Sequence, residues 1–175
     1  MTTDNCMKQV HIITPVKDSI DLTLETARAV LASRWHVPVT YTIYNDFSTD
    51  ENTRRLEEAS QELGFELVNL RDITSHPSPN YLLVLQMAQK RAIEAEAGLL
   101  IVESDVIVRE NTLQGLFDGA LAHPDCGIAA SVTVDEQGTV NYPYLYASDY
   151  PKEACEVKKH CSFCCSLLTL RLLKA

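Results

Sequence analysis

Leu99-Leu-Ile-Val-Glu103-Ser104-Asp105-Val-Ile-Val-Arg109 runs four apolar residues straight into an acidic triplet, with three more apolar residues behind it. An apolar run this short suits a strand buried on both faces, as in a parallel sheet covered by helices. Carboxylates at its end then sit at the carboxyl edge of the sheet, where open α/β folds bind ligands. Glu103 and Asp105, one residue apart, can share a hard cation that also carries substrate phosphates. The plainer alternative is a strand whose end is merely solvated, and the rest of the chain decides between them.

The chain has 175 residues, enough for one domain that buries about 70% of its unfolded surface. Its 24 acidic and 15 basic residues give a formal charge of −9. That disfavours a sequence-independent nucleic-acid binder, which needs a basic face. An acidic protein that handles phosphates needs a metal or a few local cations to offset repulsion. No apolar stretch approaches the ~20 residues of a membrane span, and the N-terminus carries no secretory signal, so a cytoplasmic location is expected. Four of the six cysteines crowd the C-terminal region, at Cys155, Cys161, Cys164 and Cys165. A disulfide framework is not expected in such a chain. Cys161 and Cys164 have zinc-ligand spacing, but no second such pair exists and the neighbours are apolar, which favours cysteines as small buried hydrophobes.

Working outward, Val10–Val16 reads as a first strand stopped by Pro15. A helix over about 20–34 follows, capped by Asp18 or Ser19, with Leu22, Thr26, Ala29 and Val30 inward. Val37–Tyr44 is a second strand. Ser48, Thr49 or Asp50 caps a helix over 51–63 that Gly64 closes. Phe65–Leu70 is a third strand, and Arg71–Pro79 a loop. Asn80 opens a helix over 80–96, with Leu83, Leu85, Met87, Ala88 and Ile93 as packing candidates, and Gly98 ends it before the opening strand. Asn111 or Thr112 caps a further helix that His123-Pro124 stops. Ile128–Val134 is a strand, Asp135–Gly138 a turn, and Thr139–Tyr146 a hairpin partner. A charged link leads to a last apolar segment, 162–173, read as a core strand. Strand and helix alternate four times, which predicts a largely parallel sheet with helices on both faces and a small antiparallel portion near the C-terminus.

Polar residues gather where strands one, two and four end: Thr14, Lys17 and Asp18; Asn45 and Asp46; Glu103 and Asp105. Parallel strands end on one edge, so these sets converge on one cleft. The first turn has no glycine, so a dinucleotide fingerprint is absent, as are a P-loop and a Gly-x-Ser-x-Gly elbow. A phospho-receiver domain would need its acids after strands one and three; here they follow two and four.

Four segments, in order, resemble the inverting glycosyltransferases of family 2, which have the GT-A fold. Val10–Val16 with Lys17-Asp18 is similar to the family's opening strand and turn, with Lys17 or Asp18 replacing the usual Asn. Tyr44-Asn-Asp-Phe-Ser-Thr-Asp50 resembles Val-Asp-Asp-Gly-Ser-Thr-Asp, with Asn45 and Phe47 as departures. Ser78-Pro-Asn80 resembles the Ala-Arg-Asn segment. Val102-Glu-Ser-Asp105 resembles the Leu-Asp-x-Asp metal motif, with Glu103 for the first Asp. The likeness is good over residues 9–134 and loose over 139–173.

The resemblance implies a single GT-A-like domain over 1–175: a nucleotide-binding half to about 134, then an incomplete acceptor-side half over 135–175. It implies a hexosyl transfer with inversion from a UDP- or GDP-sugar to a saccharide or lipid-linked acceptor, dependent on Mn²⁺ or Mg²⁺. Thr14, Pro15, Val16, Asn45, Asp46, Arg71, Asn80, Glu103 and Ser104 would line the nucleotide. Asp105 would bind the metal directly, and Glu103 the metal or ribose; Asp50 reads as a helix cap. The metal would bridge the diphosphate and stabilise the leaving group. The family's general base, an Asp or Glu of the acceptor half, has no matching motif. Asp149 and Glu153 lie in the right region, although solvated loop charges account for both more simply. Two rival readings are a sugar-nucleotide nucleotidyltransferase, disfavoured by the glycine-free first turn, and a nucleotide-sugar-binding domain without turnover, favoured by the missing base and by Asn45, Phe47 and Glu103.

Overall fold

The computed structural model describes residues 7–141, 144–149, 154–158 and 160–175. The alternation expected from the sequence is present: β1 (Gln9–Val16), α1 (Ile20–Leu31), β2 (Val39–Asn45), α2 (Asp50–Leu63), β3 (Glu66–Asn69), α3 (Tyr81–Glu94), β4 (Ala97–Val102) and α4 (Thr112–Ala122). Three short elements follow: β5 (Ile128–Ala130), β6 (Cys165–Leu168) and α5 (Leu170–Leu173).

The six strands form one sheet in the order β3-β2-β1-β4-β6-β5. β1 to β4 are mutually parallel, and β6 runs antiparallel between β4 and β5. The chain winds outward from β1 to β3 and then crosses to the other side of β1 for β4. Each strand carries apolar residues to both faces, as a doubly covered sheet requires. In β1, Val10, Ile12 and Val16 face α1, α2 and α4, whereas Ile13 faces α3. In β4, Leu100 and Val102 take the first side, Leu99 and Ile101 the second. Burial of each such side chain contributes about 1.5–3 kcal/mol.

Helix ends follow their chemistry. Thr49 caps α2 by accepting from the Asn52 N–H (3.3 Å), and Gly64 closes it at φ +82°, a left-handed position that costs glycine little. Leu22 is half exposed; the inner face of α1 is Ile20, Thr23, Thr26, Ala27 and Val30. The inner face of α3 is Val84, Ala88 and Ala92, with Leu85, Met87 and Ile93 half-buried against it.

Several expectations near strand ends need correction. Gly98 lies inside β4, not at a helix end: a Cβ there would meet Met7 Sδ at 2.7 Å and Leu167 Cδ1 at 2.9 Å, so close packing selects it. β1 continues through Pro15, which pairs with Tyr44 on β2, while the ladder to β4 stops at Ile13–Ile101. Proline supplies no N–H, so it is tolerated where β1 keeps one neighbour. The hairpin 128–134/139–146 shrinks to β5 and one bridge, Val134–Val140; residues 144–149 form a 3-10 turn. The antiparallel partner of β5 comes instead from the last apolar segment, which folds as β6 between β4 and β5 and then turns into α5.

Candidate functional site

The switch in winding direction falls between β1 and β4, and in open α/β sheets ligands bind outside the carboxyl ends at that point. The Ile13–Ile101 register, carried on along both strands, brings Thr14 and Pro15 level with Val102 and Glu103. The β1–β2 register sets Val16 beside Asn45, and Asp46 N–H donates to the Val16 carbonyl at 2.8 Å. The ends of β1, β2 and β4 therefore share one edge, and their polar residues gather there.

The β1 and β2 ends are clasped together. Asp18 N–H donates to Ser48 Oγ (2.9 Å), and Asp18 Oδ1 accepts from Thr49 N–H (2.7 Å) and Asn52 Nδ2 (3.1 Å). The Thr49 and Asn52 donors hold the Asp18 carboxyl below its usual range. Asp18 (φ +61°) and Phe47 (φ +59°) both occupy the left-handed region that glycine favours. Phe47 stands where the resembled motif has glycine. Its ring lies under the Arg71 guanidinium (5.9 Å), which donates to Asp50 Oδ1 and the Ser48 carbonyl at 2.6 Å each. Asp50 is the first residue of α2, next to the capping Thr49.

Asp46 is buried and turned toward the chain entering α3. Its Oδ2 accepts from Ser78 Oγ and Asn80 N–H, and Oδ1 from Asn80 Nδ2, all at 2.8 Å. Burial alone would raise its pKa, but the Asn80 and Ser78 donors outweigh that and hold it below the usual carboxylate range. Asn80 Nδ2 also donates to the His76 carbonyl (3.1 Å). Asn45 donates to Thr53 Oγ1 (3.0 Å) and Asn69 Oδ1 (2.8 Å) while accepting from Ser48 N–H. Thr14 is fully buried, hydroxyl to hydroxyl with Tyr41 at 2.9 Å. Val16 is buried in the core and Pro15 is half-buried. Several residues expected to line a nucleotide thus brace the edge from within.

The acidic triplet sits differently. Glu103 and Ser104 are half-buried, and Asp105 is exposed in the turn after β4. Glu103 N–H donates to the Cys164 carbonyl at 2.9 Å, because antiparallel β6 starts where β4 ends. Burial raises the Cys164 thiol pKa, and the nearby Glu103 carboxylate, to which the thiol donates a hydrogen bond, adds to the rise. The Tyr81 hydroxyl at the start of α3 is buried without a partner, its pKa pushed up to about 12 by burial and by Glu103. Sequence reasoning missed both neighbours of Glu103. Placing Cys164 required knowing that the last segment pairs with β4.

The 3-10 turn 144–149 is tied to the same edge: the Tyr144 hydroxyl accepts from Ser162 N–H (2.9 Å), and the Tyr146 hydroxyl donates to the His160 carbonyl (2.8 Å). Asp149 ends that turn and is exposed; Glu153 lies outside the described residues. No three metal-ligating side chains converge among the described residues. The donors at the β4 end are carboxylates, which suit a hard cation that completes its shell with ligand oxygens. A hollow of about 410 Å³ lies at the opposite, amino end of the sheet, lined by Trp35, Val39 and Glu66 among others, away from these groups. No described helix is long and apolar enough to cross a membrane.

No family model matches the chain, and no curated protein sequence matches it. Solved structures do. TarS residues 1–349 from S. aureus superposes with a TM-score of 0.52 at 20% identity, over 70% of this chain and 34% of that one. The same protein in complex with UDP-GlcNAc gives 0.51 at 20% identity, over 70% and 33%. Glucosyl-3-phosphoglycerate synthase from Mycobacterium tuberculosis, in complex with Mn²⁺, UDP and glucosyl-3-phosphoglycerate, gives 0.50 at 13% identity, over 69% and 42%. The chain thus spans a third to two-fifths of the length of these structures. Sheet order, the single antiparallel strand beside β4 and these superpositions agree: the chain has the α/β GT-A fold of glycosyltransferases.

Proposed function

We propose that the chain is the donor-binding part of a glycosyltransferase that moves a sugar from a nucleoside diphosphate to an acceptor hydroxyl with inversion. The observation that carries this reading is the meeting of the β1, β2 and β4 ends at the switch point of a GT-A sheet, with Glu103 and Asp105 at the β4 end. The solved neighbours that hold UDP-GlcNAc, or UDP with Mn²⁺, support a nucleotide sugar as donor.

Asp105, exposed, and Glu103, half-buried, would hold Mn²⁺ or Mg²⁺ together with diphosphate oxygens. When bound, the cation supplies charge stabilisation of the departing diphosphate. Asp46 orders the entry to α3 and keeps one acceptor position, on Oδ1, since a carboxylate accepts about four donors and three are placed. Arg71 and Asn80 shape the nucleotide side of the edge through Phe47 and Asp46, and Thr14, Pro15, Val16, Asn45 and Ser104 form its floor and rim. Asp149 is the one acid of the two candidates with a described position, and it is the candidate base. Residues 1–175 form one domain on this reading, a nucleotide-binding half to about 134 followed by acceptor-side residues over 135–175.

A second reading, a donor-binding domain without turnover, is favoured by the internal engagement of Thr14, Asn45, Asp46 and Asn80. The two are separated by incubating the protein with a UDP-sugar and Mn²⁺ and measuring released UDP. Turnover that Asp105→Ala abolishes supports the enzyme; binding without turnover supports the second reading; no binding of UDP- or GDP-sugars contradicts both.

A further inference from the structure

The turn after β1 is built under strain and held from outside. Ser19 N–H donates to the Lys17 carbonyl at 2.9 Å, an i→i+2 bond that closes a γ-type turn around Asp18 at φ +61°. Such turns are rare and strained for a residue with a side chain, so they persist only where their surroundings over-determine them. Four hydrogen bonds do so: Asp18 N–H donates to Ser48 Oγ, and Asp18 accepts one from Thr49 N–H and two from the Asn52 amide, from the loop and helix start that follow a second left-handed residue, Phe47. The conformation fixed in this way presents Lys17, the residue before the strained one.

Lys17 is exposed at the end of β1, the strand bordering the switch point, where the β1–β4 ladder has already stopped. Arg71, at the same edge, is engaged with Asp50 and the Ser48 carbonyl. The Asp18 and Asp46 carboxylates lie close enough to feel the Lys17 charge, and Glu103 and Asp105 follow β4, the strand paired with β1. An edge this acidic, in a chain of charge −9, repels an anionic ligand unless a cation is placed to receive it.

We propose that the clasped turn presents Lys17 to the phosphate groups of the ligand, so that Lys17 is a binding residue for the diphosphate. This rests on the donor reading above. The ammonium group is a compact point charge on a flexible stem and needs no fixed fork geometry to do this.

The test is calorimetric titration of UDP, and separately of uridine, with Mn²⁺ present, into wild type, Lys17→Ala and Lys17→Arg. Lys17 is exposed, so melting temperatures of the free variants should match wild type. Lys17→Ala should weaken UDP about tenfold and leave uridine unchanged, with Lys17→Arg recovering most of the loss. The salt dependence of UDP binding should also flatten in Lys17→Ala. Wild-type UDP affinity in Lys17→Ala, or equal losses for UDP and uridine, would overturn this inference while leaving the donor reading standing. A wild-type protein that binds no nucleoside diphosphate overturns both.

Discussion

The Asp46 carboxylate takes both the main-chain N–H and the side-chain amide of Asn80, each at 2.8 Å, so the end of β2 and the start of α3 are fixed to one another. Ser78 adds a third donor. Asp46→Ala leaves a buried main-chain N–H without an acceptor and should lower stability by about 2–4 kcal/mol, read from the urea midpoint. Because the folded-state pKa is depressed, this stabilisation is present above the ordinary carboxylate pKa and lost as pH falls through the lower folded value. Wild type should therefore lose more stability than Asp46→Ala on acidification below about pH 4. Parallel losses would contradict the role given to Asp46.

Phe47 holds a left-handed backbone and also packs a half-buried ring, so its substitutions separate the two effects. Phe47→Ala loses the ring and keeps the strain; Phe47→Gly loses both. The glycine variant should be the more stable by about 1 kcal/mol, the reverse of the usual order. Equal stability, or alanine ahead, would mean that φ +59° carries no strain.

His11 is buried on β1 against the Thr40 hydroxyl (2.7 Å), and its pKa is lowered from 6.5 to about 4 by burial and by Arg91. The unfolded chain takes up a proton at His11 between those values and the folded one does not. Stability should fall by roughly 3 kcal/mol as pH drops from about 6.5 to 4. His11→Leu should flatten that part of the profile; an unchanged slope would assign it to other groups.

How much of this was readable in advance depends on what each residue answers to. The strands β1 to β4 and their helices were legible because a sheet buried on both faces writes itself as short apolar runs, and Thr49 and Gly64 carry capping chemistry that is local. The convergence of three strand ends followed from parallel geometry alone. What escaped was set by distant contacts. Gly98 looked like a helix stop because its reason, the closeness of Met7 and Leu167, spans the chain. Residues 139–146 looked like a hairpin partner of 128–134 because nothing local reveals that 165–168 already occupies the place beside β5. In the site, Asp105 is exposed at the β4 end, whereas Thr14, Asn45 and Asn80 hydrogen-bond to neighbouring residues within the edge. Their types suit ligand contact and internal bonding equally, and only the partners decide.

Within the acidic triplet the two carboxylates should respond unequally. Glu103 is half-buried beside Cys164 and Tyr81, whereas Asp105 is exposed. Asp105→Ala should leave the melting temperature of the free protein within about 1 °C of wild type, as surface substitutions do. Glu103→Ala should disturb it more, since it strips an acceptor from the half-buried Cys164 thiol. A differential scanning measurement on the two variants checks this, and a larger loss for Asp105→Ala would contradict it.

Calorimetric titration of UDP in Mn²⁺ and then in EDTA tests most directly whether the β4 end receives a nucleoside diphosphate through a divalent cation. Saturable binding in Mn²⁺ that disappears in EDTA and in Asp105→Ala is the predicted result. Binding of equal strength with and without the metal, or undiminished in Asp105→Ala, would contradict the account.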